Sequence, residues 1–297
     1  MAFVIFDLEF NNLNGITTYY PDFIEEYGDV NNFELRNEII EIGAIKLDAY
    51  MKPLKQMKVY IKPSVLPVLN PKITEITSIT DDDLEQGVSF EEGMDMLNDL
   101  VDEGDVICSW AKDDIAEITQ NAVYHEYGNF KLLKKYLDIQ EYAMKIYGYK
   151  KSVSLKEVLT KAQIKVDKNK LHDALNDAIY TAEVLKRIYN SRALNGCIRT
   201  DIFHMPMFGI DEEDIEDLDF EQVKLLCPKC KLPIEIEEEF RYIGWRFLAL
   251  GECKKCKNRI KAEVSLKRTL ADEIVYNEIE TIIKEEEYSR IQHRMNK

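Results

Sequence analysis

The sequence predicts an α/β protein that carries a second, smaller cysteine-bearing unit. Three observations predict it. The N-terminal apolar run Phe3-Val4-Ile5-Phe6 leads straight into Asp7-Leu8-Glu9-Phe10, as a buried strand with two acids at its mouth. From there to about residue 190, apolar runs of strand length alternate with segments of helical period. Beyond residue 221 stand two Cys-x-x-Cys pairs, Cys227/Cys230 and Cys253/Cys256, separated by 22 residues.

The elements follow in order. Side chains alternate faces along a strand, so Asp7 and Glu9 share one face of the first. Residues 11–37, rich in Asn, Tyr and acids, make an insertion too long for an ordinary loop. Glu41 to Leu47 and Met57 to Ile61 read as the second and third strands. Ser89 opens a helix with Phe90, Met94 and Leu97 on one face. Gly104 introduces a fourth strand over Asp105 to Ser109, whose Cys108 is a core residue, and Asp114 to His125 is a helix. Leu132 to Ile139 holds the fifth strand. Ser154-Leu155-Lys156-Glu157 fits a capping box. Leu175, Ala178, Ile179, Ala182 and Leu185 mark one face of a helix over 173–190. The expected domains are 1–192, an acidic linker at 193–221, the cysteine unit at 222–268, and a C-terminal amphipathic helix at 269–297 with Val275, Ile279, Ile282, Ile283 and Ile291 on one side.

The chain has 297 residues, 45% of them apolar and 32% charged, as in a globular protein. No apolar stretch is long enough to span a bilayer and no basic leader precedes the first strand, which places the chain in the cytoplasm. The net charge of −16 taken alone argues against a polyanion partner, but it is unevenly spread. Residues 201–221 hold nine acids and no Lys or Arg, whereas 222–268 hold twelve Lys/Arg against six acids. Residues 145–170 hold eight Lys against two acids. A solvated helix face explains either basic stretch as readily as a ligand does.

Two anions at the mouth of a buried strand repel and lose hydration, and a divalent metal is the usual remedy. Further residues point to the same place. In Cys108-Ser109-Trp110-Ala111-Lys112-Asp113-Asp114, an apolar strand gives way to acids at a helix start, where acids are also common as caps. In His172-Asp173-Ala174-Leu175-Asn176-Asp177-Ala178, Asp173 is the natural cap, and Asp177 lies a turn inside, close to the apolar face. A histidine beside such acids suits general-base chemistry.

This set resembles the DEDDh branch of the DnaQ-like exonucleases. Phe6-Asp7-Leu8-Glu9 is similar to the family's first motif, and Glu38 to Ala44 resembles its second strand. Ile76-Thr77-Ser78-Ile79-Thr80 is similar to its Thr-Gly-Ile segment, with Ser78 in the glycine's place. Ser109 to Asp114 resembles the second motif, selecting Asp114 over Asp113, and His172 to Asp177 resembles the His-x4-Asp third motif. The Ser-Trp variant is most like the subgroup related to histone-mRNA and interfering-RNA exonucleases and to a bacterial sporulation inhibitor. The resemblance implies an RNase H-like fold, a mixed five-stranded sheet flanked by helices. It also implies 3′→5′ hydrolysis of single-stranded RNA or DNA ends to nucleoside 5′-monophosphates, with two Mg²⁺ or Mn²⁺ ions. Asp7 would bridge both ions, Glu9 and Asp177 would hold one, Asp114 would hold the other, and His172 would act as base. Phe10 and Ile79 are candidates to stack on the terminal nucleotides, with core packing the equal alternative. The lysines of 145–170 are candidates to track phosphates.

The doubled Cys-x-x-Cys with a strand-rich spacer reads as a four-cysteine ribbon holding one structural Zn²⁺ through Cys227, Cys230, Cys253 and Cys256. Its basic excess, with Tyr242, Trp245 and Phe247 nearby, suits a nucleic-acid grip, and a protein-docking surface is nearly as good a reading. The C-terminal helix packs on its own protein or serves a partner. Two other functions stand beside the exonuclease: a nuclease-like binding module, which the complete acid set disfavours, and a proofreading subunit of a polymerase.

Overall fold

The computed structural model describes residues 1–129, 131–167, 171–207, 210, 220, 223–243, 246–271 and 273–296. These form two compact units, residues 1–202 and 203–297.

The first unit is built on a five-stranded mixed sheet in the order β3-β2-β1-β4-β5. Its strands are β1 (Phe3–Asn12), β2 (Asn37–Leu47), β3 (Pro53–Tyr60), β4 (Val106–Ser109) and β5 (Tyr136–Asp138). β2 runs antiparallel to both β1 and β3, while β1, β4 and β5 are parallel. The helices are α1 (Phe23–Tyr27), α2 (Pro71–Thr77), α3 (Asp81–Glu85), α4 (Phe90–Asn98), α5 (Asp113–Tyr124), α6 (Ile139–Tyr147), α7 (Leu155–Lys161), α8 (Ala174–Ile188) and α9 (Ser191–Asn195). Alternation along the strands puts Phe3 and Ile5 on the face that also carries Asp7 and Glu9. On that face Phe3, Ile5, Ile45, Leu47, Val106, Cys108 and Leu137 pack against Tyr142 of α6, Val158 and Leu159 of α7, and Ala178, Ala182 and Leu185 of α8. Small alanines on α8 let it lie close over β1 and β2.

The expected sheet and helix order are present. Residues 193–202, assigned to the linker from sequence, lie on this unit: Leu194, Cys197 and Ile202 are buried, and Arg199 bridges to Tyr136. A five-residue helix such as α9 is too short to show a period, which is why the sequence hides it. Most of the acidic run 211–221 lies outside the described residues.

The insertion after β1 has its own small core of Leu13, Ile16, Phe23 and Leu66, with Val30, Phe33 and Val68 packed on it. Two buried asparagines tie it down. Asn11 donates to Val68 O at 2.8 Å and accepts from Asn70 N at 3.0 Å. Asn70 donates to Asn12 O at 2.9 Å and caps α2. Glu38 accepts from the backbone N–H groups of Ser64, Val65 and Leu66.

The second unit is an antiparallel sheet in the order β6-β7-β8-β9. Its strands are β6 (Glu235–Tyr242), β7 (Phe247–Glu252), β8 (Arg259–Arg268) and β9 (Ile274–Ile283), followed by α10 (Glu285–Met295). The C-terminal helix expected over 269–297 is thus half strand. β9 pairs with β8 throughout, from Arg268↔Ile274 to Arg259↔Ile283. Val275, Ile279, Ile282 and Ile283 satisfy a helical spacing, but Ile274, Val275, Ile279, Thr281, Ile282 and Ile283 are all β-branched and prefer a pleated surface beside an open edge. α10 keeps the amphipathic character: Tyr288, Ile291 and Met295 pack on Leu248, Leu250 and Ile283. Among the described residues no helix is long and apolar enough to cross a membrane.

Candidate active site

The acids gather at the carboxyl ends of the parallel strands, where open α/β sheets place their ligands. Asp7 and Glu9 face α8 from β1, and a bulge in the β1–β2 ladder follows between Glu9 and Phe10. α8 starts against this spot because of Gly43. Gly43 is the β2 partner of Asp7, and a Cβ on it would lie 2.0 Å from Leu175 N and 2.2 Å from Ala174 C. The missing side chain is the space in which the first turn of α8 rests.

That first turn is closed by Asp173, which accepts from Asn176 N at 2.9 Å as the N-cap. His172, just before the cap, has a left-handed backbone with φ 64° and an exposed side chain. Its N–H donates to Asp177 Oδ2 at 3.1 Å. The other oxygen, Asp177 Oδ1, is buried without a hydrogen-bond partner among the described residues. Carboxylate oxygens of Asp7, Glu9 and Asp177 lie within 4.8 Å of one another.

Asp114 sits in the first turn of α5, which Asn121 docks to β2 by accepting from Ile39 N at 3.1 Å and donating to Asn37 O at 3.0 Å. It is not part of the 4.8 Å group, but its charge reaches Asp7. The electrostatics are those of a crowded, half-buried anion cluster. Burial, then Asp114, Asp177, Glu9 and Glu41, push Asp7 well above the carboxylate range. Burial, Glu41, Asp177 and Asp114 push Glu9 up to about 8. Burial and Asp113 push Asp114 up to about 8, against its own backbone N–H. Burial raises Asp177, and the His172 N–H offsets part of this. Four crowded carboxyls with an unpaired buried oxygen among them fit a divalent-cation site.

Two neighbours escaped the sequence reading. Glu41 is the β2 partner of Glu9 and is buried, which pushes it up to about 6 even though Lys58 pulls it down. Lys58 Nζ meets Glu41 Oε1 at 2.9 Å and also pairs with Asp173, lying 5.0 Å from the Tyr60 ring centre. Burial opposes the Lys58 charge, and Asp173 and Glu41 more than restore it. One ammonium thus joins β2 and β3 to the cap of α8. The alternation of Lys58 and Tyr60 along β3 was the available signal. Asp138, at the end of β5, caps α6 through Glu141 N at 2.8 Å and is pushed up to about 6 by burial.

The stacking candidates separate. Phe10 is half-buried. Ile79 is 2% exposed and packs with Ile40, Leu69 and Leu84, so it belongs to the core and offers no face to a base. Ser78 takes the left-handed C-cap of α2 with φ 64°, a conformation glycine would adopt more readily. Lys145, Lys150, Lys151, Lys156, Lys161 and Lys165 are exposed; Lys168 and Lys170 lie outside the described residues.

In the second unit the sulfurs of Cys227, Cys230, Cys253 and Cys256 converge within 4.8 Å of one another. Each knuckle closes with the same turn, Lys231 N to Cys227 O and Lys257 N to Cys253 O, both 2.8 Å. Backbone N–H groups of Cys256 and Lys255 hold Cys253 down to about 7, while the Cys256 sulfur, burial and Cys253 push Cys230 up to about 12. Four sulfurs that cannot all ionise unaided fit a single soft cation. Of the aromatic residues noted nearby, Phe247 is buried, Tyr242 is exposed, and Trp245 lies outside the described residues.

Among curated proteins none matches the chain by sequence. Solved structures do resemble it in fold. The nuclease domain of 3′hExo, a DEDDh family member bound to rAMP, is 18% identical and covers 66% of this chain and 93% of its own, with TM-score 0.51. A 3′-exonuclease that recognises a histone mRNA stem-loop is 18% identical and covers 67% of this chain and 84% of its own, with TM-score 0.51. Exonuclease I of E. coli in complex with a dA16 oligonucleotide is 13% identical and covers 89% of this chain and 54% of its own, with TM-score 0.51. The exonuclease family model matches residues 4–185. That span holds Asp7, Glu9, Asp114, His172 and Asp177, and the chain belongs to the exonuclease family.

Proposed function

We propose that the chain hydrolyses phosphodiester bonds at the 3′ ends of single-stranded RNA or DNA, releasing nucleoside 5′-monophosphates. The observation that carries this reading is the convergence of Asp7, Glu9 and Asp177 within 4.8 Å, with His172 directly before the cap of the helix that brings Asp177. Asp7, Glu9, Asp114 and Asp177 would hold two Mg²⁺ or Mn²⁺ ions. When bound, such ions neutralise the scissile phosphate and stabilise the leaving 3′-oxygen. His172 accepts the proton of the attacking water. Its main chain is engaged with Asp177, which steadies the backbone while the ring stays exposed to the incoming end. Lys58, through Asp173 and Glu41, keeps the start of α8 seated beside β1. Phe10 is the residue left to meet a terminal base, and the exposed lysines of 145–165 suit the phosphates behind it. Structural relatives of the same fold were solved with rAMP and with a dA16 oligonucleotide, which supports this substrate class.

The reading assigns hydrolysis to the first unit. Cys227, Cys230, Cys253 and Cys256 of the second would hold one structural Zn²⁺, four thiolates leaving no open position. Paired Cys-x-x-Cys turns of this kind suit a reducing cytoplasm, where they read as metal ligands more readily than as disulfides.

The test is digestion of 5′-labelled RNA and DNA oligonucleotides, free or blocked at the 3′ end, with Mg²⁺ or Mn²⁺. Stepwise shortening of free ends only, with mononucleotide 5′-phosphates as product, is expected. Undiminished digestion by Asp7→Ala would overturn the assignment. Cys253→Ser should lose about one zinc per chain, read by native mass spectrometry; unchanged zinc content would overturn the four-thiolate site.

A further inference from the structure

The sequence leaves open whether the cysteine unit grips nucleic acid or protein. The structure sorts its lysines, and the sorting carries an inference. The two knuckles repeat one pattern, Cys-x-Lys-Cys-Lys, as Cys227-Pro228-Lys229-Cys230-Lys231 and Cys253-Lys254-Lys255-Cys256-Lys257. The repeat extends to the backbone. Lys231 and Lys257 both follow the second cysteine and both adopt the left-handed region, with φ 55° and 56°. That conformation disfavours a side chain and is the usual place for Gly or Asn. Lysine at both positions, against backbone preference, points to a use for the charge.

The thiolates do not account for it. Among the described residues, the cysteine sulfurs take hydrogen bonds from backbone N–H groups and from one another, as in Cys230 N to Cys227 Sγ at 3.4 Å and Cys227 Sγ to Cys256 Sγ at 3.7 Å. Neighbouring acids account for only some of the cations. Lys254 pairs with Glu235 at 3.2 Å and Lys257 with Glu252 at 3.1 Å. Arg259 is taken by Glu237 and Glu285, and Lys261 and Arg246 share Glu263. Lys229, Lys231 and Lys255 are exposed and have no ion-pair partner among the described residues. Leu226 and Leu232, 40% and 44% exposed, flank the first knuckle and add an apolar surface beside the ammonium groups. On a chain of net charge −16, these three cations on converging turns form a local exception, not an overall tendency.

We propose that the paired knuckles are a second nucleic-acid contact, in which Lys229, Lys231 and Lys255 bind the phosphate backbone of a single strand without reading its sequence. The inference rests on the substrate class proposed above, since a polyanion is what that activity brings to the protein. Its ligand chemistry is a row of phosphodiesters, for which unpaired, flexible ammonium groups are suited.

The experiment uses the full chain in an Asp7→Asn background, so that bound oligonucleotide is not consumed, and measures affinity for short and long fluorescent DNA and RNA strands across a salt series. Lys229→Gln/Lys231→Gln/Lys255→Gln should weaken binding of long strands about tenfold or more at low salt. It should also flatten the slope of log K against log salt by about 2, roughly 0.7 for each phosphate that no longer meets a lysine. Lys255→Gln alone should flatten the slope by about 0.7, and serves if the triple variant fails to retain zinc. An unchanged affinity and slope in a zinc-loaded variant overturns the proposal. Hydrolysis of a dinucleotide by the native chain is read separately. If that fails while the salt slope still depends on the lysines, the catalytic reading falls and the backbone contact stands.

Discussion

Asp105 and Asp7 lie at opposite ends of the same pair of parallel strands and are treated in opposite ways. Asp105 precedes β4, where it accepts from Ala2 N at 2.8 Å and Asp102 N at 3.0 Å and pairs with Lys46 at 2.7 Å. Lys46 is itself buried and also donates to Leu100 O at 2.8 Å. Asp7 shares its end of the sheet with Glu9, Asp114 and Asp177; burial and these acids raise its pKa, while that of Asp105 is lowered. One end of the sheet satisfies a buried acid from within the chain. The other gathers acids that raise one another's pKa. A folded protein tolerates the second arrangement because the rest of the sheet holds it in place, and such crowded charge is where function is expected.

The contrast can be broken most sharply at Asp7. Asp7→Asn should cut hydrolysis about a thousandfold or more, since the ion it would hold supplies several kcal/mol. The same variant should melt no lower than the native chain in EDTA, because it removes one of the repelling charges. A large drop in melting temperature would mean that Asp7 holds the fold and not the reaction.

Lys46→Met probes the other end. It leaves Asp105 buried without its cation and should cost about 3–5 kcal/mol of stability, read by urea unfolding. Below the melting range its hydrolytic activity should be retained. Loss of activity in the still-folded variant would show that the two ends are coupled.

Much of this was legible beforehand, for specific reasons. Asp7 and Glu9 announce themselves because strand alternation puts them on one face. Asp114, His172 and Asp177 are visible only as an ordered motif set, since each alone passes for a cap or a helix residue. Lys58 and the fit of Gly43 under Leu175 depend on contacts between segments far apart in the chain, which no local pattern reports. β9 was hidden because its isoleucines meet both a helical and a strand spacing, and the partner strand β8 decides between them. Ile79 shows the same limit: an apolar residue beside a site reads alike whether it faces a base or the core.

Gly43→Ala is a milder probe of how finely the acid cluster is set. The added methyl cannot coexist with Leu175 N at 2.0 Å, so α8 must shift. The cost should be about 1–3 kcal/mol in stability and up to about a hundredfold in kcat, although no ligand is touched. Unchanged kcat would mean that the site tolerates movement of His172 and Asp177.

The smallest effect is the pH response of Asp105. Burial pushes its carboxyl up, and hydrogen bonds from Lys46, Ala2 and Asp102 outweigh that, leaving it below the ordinary value. Its share of stability is therefore complete above the unfolded carboxylate pKa of about 4 and is lost as pH falls through the lower folded value. Between about pH 5 and pH 3 the native chain should lose more of its urea midpoint than Asp105→Asn does. Parallel pH profiles for the two would contradict the role given to the donors around Asp105.

The insertion that follows β1 leaves the sheet at Asn12 and returns at Asn37, which are partners across the ladder. Its two ends therefore meet across one closed rung, and the cost of bringing them together is already met by the pairing of β1 with β2. Such a segment is a cassette. It can be lengthened, exchanged or cut back to a short turn, with Leu66 made polar once its cover is gone, without moving Asp7 or Glu9.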